Sequence, residues 1–378
     1  MIRRALSSAI KNDLDEKIVI LSGPRQCGKT TLSKSLCSKS FQYLTYDSAE
    51  DRKILDKLQW NRDLDLIVFD ELHKMKKWKA WIKGIYDKEG VRPRLLITGS
   101  ARMTQFKKTG DSLAGRHFNY RLHPFDLNEL SLKTNAEQTE ALENLLTVGG
   151  FPEPYLKGSK NYHNRWSSSH LDLILRQDLL DLETVRDLKG IEILISLLAE
   201  RVGNSVSNAT LATVLQKDPK TISHWLEILE DLFVIFRVSP FHKNMARAIR
   251  KEPKFYFYDI AQVRGDAAAR YENLVACSLI KEIDRLHDEV GIKGNLHFLR
   301  TKEGNEIDFL VHFEESPSWL IEAKLSDSDL SKNFKNFQSH FKNSQCIQLV
   351  SNLKQQKTTV DGHKIVSAAS WLSNLKLV

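Results

Sequence analysis

No stretch of this sequence approaches the roughly 18 consecutive apolar residues that a membrane-spanning helix requires, and no membrane partner is expected. Cysteine is scarce. The four that occur, Cys27, Cys37, Cys277 and Cys346, have neither metal-ligand spacing nor the density of a disulfide-stapled secreted domain, and they read as free thiols. An apolar leader core is missing as well. Met1-Ile2-Arg3-Arg4 begins as a signal peptide does, but Lys11, Asp13, Asp15 and Glu16 interrupt the run that should follow, so a cytoplasmic location is expected. What is present is the composition of a soluble globular protein, 41% hydrophobic and 28% charged, over 378 residues that suggest two or three domains.

The net charge of +8 is concentrated in places. Lys74 to Arg94 holds eight basic residues against Asp87 and Glu89, and Arg237 to Lys254 holds six against Glu252. A local excess of this kind suits a nucleic acid or another polyanion. For the first stretch a solvated helix face explains it equally well, with Trp78 and Trp81 alternating with lysines as inward-packing residues would.

The stretch that organises the rest is Gly23-Pro24-Arg25-Gln26-Cys27-Gly28-Lys29-Thr30-Thr31. Its G-x-x-x-x-G-K-T spacing is that of a phosphate-binding loop, whose backbone N–H groups turn inward at a polyphosphate. The apolar run Lys17 to Leu21 before it reads as a strand, and Thr31 to Ser38 after it as a helix with Leu32 and Leu36 on one face. Lys29 would approach the β- and γ-phosphates and the Thr30 hydroxyl would hold Mg2+. Cys27 is either a passive small side chain or a thiol made reactive by the loop.

Two further strand ends complete this pattern. Asp65 to Glu71 is a buried strand closing on two carboxylates, Asp70 to hold Mg2+ through water and Glu71 to polarise the attacking water. Arg94 to Ser100 ends in small polar residues, where Ser100 could sense the γ-phosphate and Arg102 neutralise its charge. Arg116, after Gly115, reads either as an arginine finger acting in cis or in trans, or as a salt bridge at the sheet edge. Alternating β and α segments through residue 130 predict a doubly wound parallel sheet, with a helix over Lys76 to Lys88.

Beyond it the pattern turns helical, broken at Gly149-Gly150-Phe151-Pro152-Glu153-Pro154, and reads as a lid. Thr210 to Leu215 and Thr221 to Glu230, with a break at Lys217 to Lys220, form a helix-turn-helix pattern, and Phe233 to Pro240 follows as a candidate wing. Lys220, Thr221, Ser223 and His224 would face DNA; contacts to protein, or packing of the lid, are the other readings. In the last third, Asp308 on one strand and Glu322-x-Lys324 on the next could meet around a cation, with Glu272 on the preceding helix as a fourth acidic group. These residues are a candidate nuclease site; a surviving fold with a dead site, or a solvated hairpin, would give the same letters.

The loop, Asp70-Glu71, Thr98-Gly99-Ser100, Leu113-Ala114-Gly115-Arg116, Gly149-Gly150-Phe151-Pro152 and Glu306-Ile307-Asp308 with Glu322-Ala323-Lys324 occur in one order along nearly the whole chain. In this the chain resembles the prokaryotic predicted ATPases of the AAA+ class, P-loop NTPases that carry a C-terminal domain of unknown function ending in a restriction-endonuclease-like fold. The resemblance implies ATP rather than GTP, and no N-K-x-D motif follows the Ser100 strand. The expected organisation is α/β: a P-loop core over 1–134, a helical lid over 135–200, a winged helix-turn-helix over 201–252 and a nuclease-like α/β domain over 253–378. The expected activity is Mg2+-dependent ATP hydrolysis that repositions the later domains on DNA. A nucleotide-gated switch or scaffold for protein partners is the alternative, and self-association is left open.

Overall fold

Five short runs rich in leucine, isoleucine and valine build the first sheet. They are β1 (Ile18–Ser22), β2 (Phe41–Thr45), β3 (Leu66–Asp70), β4 (Arg94–Gly99) and β5 (His117–Arg121). The computed structural model describes residues 2–36, 40–100, 113–179, 187–242, 252–327, 329–338, 340–341 and 344–378. Its contacts divide into two compact units, the first drawn from 1–124, 173–184 and 231–233 and the second from the remainder.

In the first unit all strand pairs are parallel and the order is β2-β3-β4-β1-β5. Every residue of β1 is buried, as expected of a central parallel strand covered on both faces. Helices α1 (Ser7–Asp13), α2 (Lys29–Ser35), α3 (Ala49–Asp56) and α4 (Trp78–Glu89) accompany it. Trp60, Phe69 and Trp81 meet edge to face with centroids 5.4–5.7 Å apart, and with Ile82 and Ile85 they fix α4 to the sheet. The strands read from the sequence all appear here. One pairing was not legible: β4 lies between β1 and β3, so its tip falls between the loop after β1 and the carboxylates that end β3.

The second unit begins with α5 (Asn135–Val148), started by a capping box in which Thr134 and Glu137 satisfy each other's backbone N–H groups. Gly149 closes α5 and Phe151 opens α6 (Pro152–Lys157), so the Gly-Gly-Phe-Pro break stands as a turn between two helices. Helices follow at Lys160–Leu173, Leu188–Ala199, Asn208–Leu215 and Pro219–Asp231. The last two make the helix pair expected from the sequence. The strand read as a wing, β6 (Ile235–Pro240), pairs with β7 (Lys254–Phe257) and also runs parallel to β8 (Gly294–Arg300), so this hairpin forms the border of a large sheet.

That sheet has eight strands, continuing through β9 (Glu306–Phe313), β10 (Trp319–Ser326), β11 (Gln345–Asn352), β12 (Lys357–Thr358) and β13 (Lys364–Ser367). Strands β8, β9 and β10 are antiparallel, whereas β10, β11 and β13 are parallel. The 24-residue helix Ala267–Val290 packs on it through Tyr271, Leu274, Leu279 and Ile283. Among the described residues no helix is long and apolar enough to cross a membrane.

Candidate functional site

The loop Gly23–Gly28 joins a fully buried strand to a helix, and its backbone geometry explains its glycines. Gly28, the N-cap of α2, has φ 99°, and Gly23 has φ 152° with the carbonyl oxygen of Leu122 only 2.3 Å from where a Cβ would sit. Cys27 is completely buried, so the loop presents backbone there rather than a thiol. Its carbonyl accepts a 2.8 Å hydrogen bond from Arg4, whose guanidinium also donates to the carbonyl of His123. Lys29 is buried and its ammonium donates to the carbonyls of Gly23 and Pro24 at 2.8 and 2.7 Å, which holds the cation over the loop.

Facing the loop are the tips of β3 and β4. Asp70 accepts from the Thr98 hydroxyl on β4, and the phenol of Tyr43 on β2 lies near the same carboxylate. The Tyr43 oxygen is 3.4 Å from the Thr30 hydroxyl. Burial first, then Asp70, raises the titration of Tyr43 above its usual range, so the phenol stays protonated and remains a donor. Tyr43 therefore lies between Thr30 and Asp70. Glu71 sits in the left-handed region at φ 53°, which turns it off the strand axis. The Ser100 hydroxyl donates to it across 3.4 Å, with His73 at 3.7 Å and Lys74 at 3.9 Å.

The structure thus brings together the loop, Thr30, Asp70, Glu71 and Ser100. Thr31 is the exposed third residue of the α2 start. Arg102 lies outside the described residues. Arg116 is not brought to the loop. Its carbonyl accepts from Ile18 at the beginning of β1, whereas the loop leaves the far end of that strand. Four strand residues, about 13 Å, separate those levels, and the guanidinium is engaged by Asp87 at 2.6 Å. A role in cis is excluded by this placement, which leaves the salt bridge and a role toward a neighbouring chain. Sequence reading missed Arg4, Tyr43 and Thr98.

In the second unit Asp308, Glu322, Lys324 and Glu272 form a second acidic cluster. Asp308 of β9 accepts from the Ala323 backbone N–H of β10 at 2.8 Å. Glu322 is almost fully buried, 2.9 Å from Lys324 and 3.1 Å from the Ser331 hydroxyl. Burial first, then Asp308, raises the Glu322 carboxyl. Burial likewise pushes Glu272 up to about 7, with Lys254 opposing and Asp308 reinforcing.

Lys254, absent from the sequence-based site, changes the chemistry of this cluster. It is 1% exposed, with its ammonium 2.6 Å from Glu306 and 3.2 Å from Glu272, while Tyr256 donates to Glu272 at 2.6 Å. Burial would lower Lys254, but Glu272, Glu306 and Asp308 outweigh it and keep the cation. Glu306 is the nearer of its two carboxylate partners. Among the described residues no three Asp, Glu, His or Cys side chains group as a metal centre does. Asp308 is met by one backbone N–H, and Glu322 by one hydroxyl and the Lys324 ammonium. The oxygens of Thr30 and Asp70 are different, having only hydroxyl partners among the contacts above, and they suit a hard cation.

Comparison with known proteins finds three separate matches along the chain. Residues 15–131 match the model of an AAA domain, and 139–265 and 268–371 match two separate domains of unknown function. Residues 15–131, which hold the five-stranded parallel sheet, are thus similar to an AAA-type P-loop domain. An uncharacterized protein of Mycobacterium tuberculosis is 29% identical over 263 residues, 68% of this chain and 56% of its own. The chain thus spans about half the length of that relative. Another, from Methanocaldococcus jannaschii, is 23% identical over 364 residues, covering 87% of this chain and 80% of its own. Among solved structures RuvB of Thermotoga maritima aligns at a TM-score of 0.32 and 15% identity, over 62% of this chain and 87% of that one.

Proposed function

We propose that the chain is a Mg2+-dependent ATPase whose nucleotide state is passed to the later domains. The observation that carries it is the convergence of Lys29, Thr30, Asp70, Glu71 and Ser100 at adjacent parallel-strand ends, with β4 between the other two. Lys29 exchanges its loop carbonyls for the β- and γ-phosphates. Thr30 and Asp70 would hold Mg2+, which would neutralise phosphate charge, with Tyr43 positioning both side chains. Glu71 accepts the proton of the attacking water while Ser100 orients the γ-phosphate end. Arg102, and Arg116 from a neighbouring copy, are the candidate charges for the transition state.

Glu71→Gln tests this reading. The amide keeps the shape and loses the base, so kcat should fall at least about 100-fold, with ATP still bound in equilibrium dialysis. Lys29→Ala should lose binding itself. Wild-type turnover by Glu71→Gln would remove Glu71 from the mechanism.

The helix pair 208–231 with its hairpin supports a winged helix-turn-helix, and DNA is the partner proposed for the ATPase. For the last domain a reading without cleavage is favoured: nucleotide state gates binding, and the nuclease-like fold holds its partner without cutting. The internal cation Lys254 supports it. Any Mn2+ shift in the melting temperature of the nucleotide-free protein should be the same in Asp308→Ala as in the wild type, and DNA should remain intact. A Mn2+ shift lost in Asp308→Ala would restore the nuclease reading.

A further inference from the structure

Lys74 to Arg94 holds eight basic residues, and the structure separates them into two groups. Lys74 is paired with Asp47 at 2.6 Å, and Arg92 and Arg94 share Asp15 at 2.9 and 2.6 Å. Lys76, Lys77, Lys79, Lys83 and Lys88 make no ion pair among the described residues. The acids beside them are taken by other groups, Asp87 by Arg116 at 2.6 Å and Glu89 by Arg62 at 2.7 Å. The outer side of α4 is therefore a surface of uncompensated positive charge.

Helix stability does not account for these lysines. The first turn of α4 contains no acidic residue, and Lys77 occupies the N-cap in a left-handed conformation at φ 61° with Lys76 before it and Lys79 just after. Cations at that end oppose the helix dipole and repel one another. A bound anion reverses both effects, since the same end attracts negative charge through its free N–H groups. Lys79 and Lys83, half-buried and four residues apart, extend the charge along one row, and Lys88 lies in the last turn.

The surface also lacks what a protein partner needs. Trp78, Ile82 and Ile85 are buried against the sheet, and the exposed positions are Lys76, Lys77, Ala80, Gly84, Asp87 and Lys88. Trp81 and Tyr86 are half-buried and packed against the core, so no fully exposed aromatic or aliphatic anchor is offered there, and protein interfaces depend on such anchors. Phosphate contacts need only cations on a rigid element. We propose that this face of α4 binds the phosphate backbone of duplex DNA. The inference deepens the reading of DNA as partner, and its test separates it from the ATPase chemistry.

The test uses the full chain and a fluorescein-labelled 30-bp duplex, titrated by anisotropy at several NaCl concentrations between about 50 and 300 mM. Replacing Lys76, Lys79 and Lys83 together by alanine should reduce the slope of log K against log[salt] by about 2 to 3, close to 0.9 for each phosphate that is no longer neutralised. Lys79→Glu with Lys83→Glu should weaken binding further, and both variants should hydrolyse ATP without DNA as the wild type does. An unchanged slope in the alanine variant overturns the proposal, as does wild-type binding to poly-glutamate as tight as binding to the duplex. A reduced slope in proteins that hydrolyse no ATP would remove the ATPase reading and leave this surface standing.

Discussion

Both units gather carboxylates on or beside buried strands, but they surround them with different partners. In the first unit Asp70 is met by the Thr98 hydroxyl, with the Tyr43 phenol close by, and Glu71 has the Ser100 hydroxyl at 3.4 Å among its partners, with His73 and Lys74 at 3.7 and 3.9 Å. In the second unit Glu306, Glu272 and Glu322 are met by ammonium groups at 2.6, 3.2 and 2.9 Å. Hydroxyls orient a carboxylate without cancelling its charge; an ammonium cancels it. The first arrangement leaves room for a divalent cation to lower the energy of the site, and the second has already done so from within the chain. Acidic residues at strand ends are therefore poor evidence of a metal until their counter-charges are known.

The contrast can be broken most forcefully at Lys254. Lys254→Met should destabilise the second unit by about 3–5 kcal/mol, the usual consequence of leaving buried charge without its partner, read as a loss of denaturation midpoint. A loss below about 1 kcal/mol would mean that the ammonium is not the counter-charge of this cluster.

A smaller effect is expected from pH. The folded-state value of Glu272 is about 7 against an ordinary 4.5. The folded protein therefore holds a proton that the unfolded chain has lost between those values, and stability should fall as pH rises from about 4.5 to about 7. Glu272→Gln should remove that fall, by no more than about 3 kcal/mol, in chemical denaturation repeated across the window. A slope that persists in the variant would assign the proton to another group.

The smallest effect tests the hydroxyl side. Tyr43→Phe removes one donor between Thr30 and Asp70, about 0.5–1.5 kcal/mol, and should raise the Mg2+ concentration for half-maximal ATP turnover about 2- to 10-fold. An unchanged Mg2+ dependence would leave Tyr43 as a packing residue.

The parts of the molecule legible in the sequence are those that depend on neighbours in the chain. The loop spacing, the apolar runs of β1, β3 and β4 and the Gly-Gly turn each write their conformation locally. Pairings that depend on topology left no such trace. Thr98 and Asp70 are 28 residues apart and Arg4 and His123 are 119 apart, and they meet only because of the strand order. Lys254 was counted as one more charge in a basic run. Burial makes it the opposite of a surface cation, and a lysine among Phe255, Tyr256 and Phe257 in a strand pattern was the available signal. The other end of that run is likewise engaged, Arg237 by Glu230 at 3.1 Å. Arg116 was read from its motif alone, but its level in the sheet is set by where β5 begins.

Gly23 carries a consequence for how this chain can change over generations. Its missing Cβ makes space for the carbonyl of Leu122 on the neighbouring segment, an approach that exists before any phosphate arrives. Selection for a folded protein alone would keep it. A lineage that abandoned nucleotide chemistry would be free to lose Lys29 and Glu71 early, while Gly23 would persist as the last letter of a motif that no longer served its original purpose.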